Sequence, residues 1–184
     1  MTTTQDTSQS MFTDGTLRTA AGLATDAYRP LWTGPSGEES TGEAVARHLD
    51  AARALLDRDG WERLYTAGAN DLVSRIPATD ESMTVDEMLR ILLDIVRDDI
   101  ASSTVTQQRT LFTALQHIGS GDDGDSDTCY IAGEVLTLIV QALTGSPTAR
   151  ATPWSERLGR THADITALLN AGARFARTYG PRAS

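Results

Sequence analysis

Asp123, Asp125, Asp127 and Glu134 occupy positions 1, 3, 5 and 12 of a twelve-residue frame, the carboxylate spacing with which a calcium loop surrounds its ion. The frame breaks where that chemistry is strict. Position 6 is Thr128, where the sharp turn calls for glycine, and position 8 is Tyr130. Glu134 also falls inside a segment patterned as a helix, from which it cannot swing to a loop centre. Asp123, Asp125 and Asp127 therefore stand as candidate cation ligands beside a simpler reading. In that reading they are solvated acids at a helix N-terminus, where negative charge is favourable by about 0.3–1 kcal/mol.

The remaining reactive residues are sparse. His48, His117 and His162 lack the i, i+4 ligand pairing of a helical zinc site. The lone Cys129 opens a helix, which lowers a thiol pKa, but the acids just before it act in the opposite sense. No Gly-x-Ser-x-Gly, phosphate loop or dinucleotide fingerprint is present, so no catalytic machinery is recognisable and no cofactor is expected. Glu134 is the carboxylate to watch. On a mostly apolar helix it needs a partner, such as Arg109, Arg160 or Arg174, or it protonates. Together with Trp61, Trp154 and Tyr130 it forms the candidate set for a ligand-binding pocket between helices.

These residues are positioned by a succession of amphipathic helices. Ser40 and Glu43 have capping-box spacing, and Val45, Leu49, Ala52 and Leu56 then recur on one helical face up to Gly60. Thr84 and Glu87 form a second box, followed by Val85, Met88, Leu92 and Ile95, widened by Ile91 and Val96. A helix starting at Thr104 or Thr106 carries Leu111, Phe112, Leu115 and Ile118 to Gly119. In residues 128–144 the polar members after Thr128 are Glu134, Thr137, Gln141 and Thr144, one thin stripe on an otherwise apolar circumference, the pattern of a helix buried on most sides. A strand through residues 136–140 is the competing reading, and the length of the periodic segment decides for helix. After a linker over 145–160, Thr161 and Asp164 start a last helix, in which Gly172 and Ala173 permit close packing. The expected architecture is all-α: a disordered tail over 1–14, then a single domain over 15–184, about six helices packed around a central apolar helix at 128–144.

Three pieces together resemble a family of small uncharacterised proteins of actinobacteria and their phages: the helix over 48–61 ending in Gly60-Trp61, Cys129 opening an apolar helix after a Gly/Asp loop, and the stretch 153–176. The matching positions are Gly60, Trp61, Cys129, Trp154, Gly159, Arg160 and Thr161. Ser155 and Glu156 stand where that family carries Asn and Asp, and the stretch between Trp61 and Cys129 is longer. The resemblance implies a helical fold and a source; it brings no activity.

The 184 residues carry 25 acidic and 16 basic side chains, a net charge of -9, which disfavours nucleic-acid partners and anionic membranes. All the basic residues are arginine, a mark of GC-rich coding. With one cysteine, no signal-peptide pattern and no apolar run of bilayer length, the expected setting is the cytoplasm. The expected function is a helical protein-interaction or regulatory module acting on a protein partner or a second copy of itself. The alternative is a small-molecule-binding protein or enzyme using Glu134 or a histidine in a pocket between helices.

Overall fold

The computed structural model describes residues 11–64, 84–102, 108–122 and 124–182. Among them are seven helices and no strand: α1 (Asp14–Thr25), α2 (Gly42–Asp59), α3 (Val85–Ser102), α4 (Leu111–Gly119), α5 (Ser126–Thr144), α6 (Ala151–Ser155) and α7 (His162–Tyr179). Two isolated bridges, Thr33 with Glu39 and Trp61 with Arg109, are the extended pairings within those residues.

The axis is α5, the helix expected at 128–144, against which α1, α2, α4, α6 and α7 all pack. Its Ile131, Val135, Leu136, Ile139 and Val140 are completely buried, each large aliphatic contributing about 1.5–3 kcal/mol. The thin polar stripe is used locally. The Thr137 hydroxyl accepts from Ala151 N–H at 3.4 Å, and the Gln141 amide donates to the carbonyls of Pro147 and Ala149 at 3.0 and 3.2 Å. These bonds fold the 145–150 connection back over α5 and set the start of α6, a short helix within the stretch read from sequence as linker. At the end of α5, Gly145 takes the left-handed conformation (φ +67°) that closes helices.

The closest partnership in the core joins α2 and α7. A Cβ on Gly42 would stand 2.2 Å from the Ala176 carbonyl oxygen, so the two backbones meet only because residue 42 has no side chain. Gly172 does the same for α5 and α7, with Leu136 filling the space a side chain would take.

Helix starts follow the sequence unevenly. Thr84 with Glu87 and Thr161 with Asp164 form the expected reciprocal caps. At α2 the cap is Thr41, bonded to Ala44 N–H at 3.1 Å, and not Ser40. Ser40 is drawn 2.7 Å from the Thr128 hydroxyl instead. At α4 the cap is Thr110, boxed with Thr113; Thr104 and Thr106 lie outside the described residues. Of the expected N-terminal tail, residues 1–10 also lie outside them. Phe12, within the expected tail, is buried with its ring edge-on to Trp154 at 6.0 Å.

α3 differs from the other long helices. It carries its cap, but Val85, Leu89, Leu92 and Leu93 are exposed, and none of its residues 85–94 belongs to the core cluster.

Candidate functional site

α4 and α5 are joined by residues 120–125 and run antiparallel, with Gly119 against Cys129 at the turn. A concavity opens on each side of this seam. The larger, about 920 Å³, is a groove walled by α4, α5 and α6, with Pro35 from the loop before α2 at one end. Its floor is core: Leu111, Leu115 and Ala151 are buried. Its walls carry two large rings turned outward, Phe112 at 49% exposure and Tyr130 at 41%. Pro153 and Gly133 add to the apolar part of the lining, Gln116, Ser120, Ser126, Thr137 and Thr152 are its neutral polar members, and Glu134 and Arg150 its charged ones. Among the described residues the Glu134 carboxylate has neither a hydrogen bond nor an ion pair. The arginines that could have served it are used elsewhere. Arg109 binds Asp59 at 3.0 Å, Arg160 lies 3.8 Å above the Trp154 ring, and Arg174 binds Asp14 at 3.0 Å. Glu134 avoids the burial that would demand such a partner because the groove leaves it half-exposed.

The smaller concavity, about 460 Å³, is lined by Arg47, His48, His117, Asp125 and Thr128 among others. His48 is buried, and its Nε2–H donates to the Leu115 carbonyl at 3.1 Å. From the groove side the Cys129 thiol donates to the same carbonyl at 3.3 Å. Burial pushes the His48 pKa down, overcoming that bond and the Asp125 charge, so the imidazole is neutral at pH 7. Burial, then the Asp125 charge, pushes the Cys129 thiol up, which keeps it protonated and a poor nucleophile.

The acids of the Gly/Asp loop have local employment. Asp125 caps α5, accepting from the N–H groups of Asp127 (3.2 Å) and Thr128 (2.8 Å) and from the Thr128 hydroxyl. The bond from the Thr128 hydroxyl, foremost, holds the Asp125 pKa below the usual carboxylate range. Since the Thr128 proton points to Asp125, its oxygen accepts from Ser40, and a short relay ties the loop before α2 to the start of α5. Asp127 is buried, binding the Ser36 N–H at 3.2 Å and the Ser36 hydroxyl. Asp123 lies outside the described residues. Among those described, no three His, Cys, Asp or Glu side chains gather as a metal site.

Of the residues singled out from sequence, the structure brings Tyr130 and Glu134 together in the groove, with Cys129 beside them. It places Trp154 in the core, and Trp61 at the end of α2, where the main chain pairs with Arg109. Phe112 and Arg150 were missed. The signal for Phe112 was present: Leu111 and Phe112 are neighbours, about 100° apart on a helix, so a helix with Leu111, Leu115 and Ile118 facing inward turns one large ring out.

A family model described as a family of unknown function (DUF6197) matches residues 40–175. No curated protein and no solved structure matches the chain. The positions carrying the resemblance noted from sequence act on architecture. Gly60 and Gly159 supply positive φ (+87° and +88°), Trp154 is packed under Arg160, and Thr161 caps α7.

Proposed function

The chain belongs to the family of unknown function DUF6197, and we propose that it is an interaction module whose groove between α4, α5 and α6 receives an apolar helix of a protein partner. The observation that supports this is the groove itself: two exposed rings, Phe112 and Tyr130, stand over a buried apolar floor, and no other described residue covers them. Helix-in-groove recognition reads a row of apolar side chains at helical spacing, and aromatic anchors carry a disproportionate share of such binding. The unpaired Glu134 adds a preference for a basic side chain on the incoming helix. No helix among the described residues is long and apolar enough to cross a membrane.

Selection from a displayed library of amphipathic helical peptides tests the reading. Helices with a basic residue within their apolar row should be enriched, and Phe112→Asp or Tyr130→Asp should weaken their binding at least about tenfold. Both side chains are half outside the core, so the thermal melt should hold. Enrichment of nothing, or of peptides that bind the Phe112→Asp variant equally well, would overturn it.

A small molecule is the second reading. The groove volume lies within the range of ligand pockets, about 300–1,000 Å³, and Glu134 with Arg150 would orient a polar end.

A further inference from the structure

We infer that the groove's resident occupant is α3 of the same chain, which closes over it and competes with any partner; this rests on the helix-binding reading above. Among the described residues, two surfaces present large apolar side chains to solvent. α3, 18 residues long, exposes Leu89 and Leu93 at 52% and 62%, together with Val85 and Leu92, and in proteins most of a helix's stability comes from packing its amphipathic face. The row Val85, Met88, Leu89, Ile91, Leu92 and Leu93 is also broad. A two-stranded seam needs only a narrow stripe, whereas a broad face fits a groove between two helices.

Connectivity selects the chain's own helix over a second copy. Residues 103–110 join α3 to α4, and α4 begins at Leu111, which lines the groove. Helix connections of up to about eight residues are those of antiparallel neighbours in bundles. So short a tether gives an effective concentration in the millimolar range, far above that of a free copy. Antiparallel to α4 means parallel to α5. The two helices match in length, at 18 and 19 residues. With the two helices aligned end to end, Glu134, near the middle of α5, comes level with the middle of α3, one turn from Arg90. Among the described residues the Glu134 carboxylate has no ion pair, and Arg90 is complementary to it.

Cys129, the chain's single cysteine, lines the groove and reports its closure. In the full-length chain, alkylation of Cys129 should be at least about tenfold slower than in a Leu89→Glu/Leu92→Glu/Leu93→Glu variant, at every protein concentration. A second variant, Leu89→Cys, should form a disulfide with Cys129 within the monomer on mild oxidation. Equal alkylation rates together with no monomeric disulfide would overturn the inference. So would protection that grows with protein concentration, or disulfides only between chains, either of which assigns the occupant to a second copy. If peptides still bind in a Phe112-dependent way while α3 gives no protection, the groove reading stands and self-closure alone fails.

Discussion

His48 shows how one buried side chain couples the body of the protein to pH. Its ring sits between α2 and the α4–α5 seam, donates one hydrogen bond to Leu115, and is kept neutral by burial. Because its pKa is lower folded than unfolded, the unfolded chain binds a proton first as pH falls. The stability that neutral His48 provides is complete above the unfolded value, about 6.5, and drains away as pH drops through that value toward the folded one. Asp59 and Asp125 are shifted below the ordinary carboxylate range, by the Arg58 hydrogen bond and the Thr128 hydroxyl bond foremost, so their contributions fade only in stronger acid. Urea unfolding should therefore show stability falling between pH 7 and pH 5 in the native chain and staying nearly flat over that interval in His48→Gln. An equal slope in both would remove His48 as the cause. Individual residues were legible where the partner lies three positions away, as with Thr84 and Glu87 or Thr161 and Asp164. They were not legible where it lies far along the chain. Nothing in local spacing joins Ser36 to Asp127, and the choice of Thr41 over Ser40 as a cap is made by Thr128.

Helices were legible wherever burial is one-sided or complete. The stripes of α2 and α7 and the near-total apolarity of α5 follow directly from periodicity. Less visible was how closely the helices approach, since a glycine in a helix reads as a defect until its neighbour is known. Two glycines make this quantitative. At Gly42 an added methyl meets the Ala176 carbonyl and the Gly180 backbone, so Gly42→Ala should destabilise by about 1–3 kcal/mol, although alanine is the better helix former. At Gly133, which faces the groove, an added methyl meets nothing within 4 Å. Gly133→Ala should stabilise α5 by about 0.5–1 kcal/mol. Chemical denaturation of the two variants checks the opposite signs, and a loss of stability in both would mean that the groove wall is more tightly packed than described.

For the molecule as a whole, the pattern of the chain announces an all-helical body built on α5 but is silent on the groove rings and on the exposed leucines of α3. A groove is a property of how α4, α5 and α6 meet, and the apolar row of α3 reads in sequence like that of any core helix. The same arithmetic of apolar spacing thus produces a buried α2 and an exposed α3. The difference is that α2 has α4, α5 and α7 to pack against, whereas α3 has no such neighbour among the described elements. Amide chemical-shift mapping of the isotope-labelled chain, titrated with a selected amphipathic helix, tests the groove reading most directly. Shifts concentrated in Leu111–Ser120, Cys129–Thr137 and Arg150–Thr152, abolished by Phe112→Asp, are the predicted result. Shifts centred on His48 and His117, or spread without focus over the surface, would contradict it.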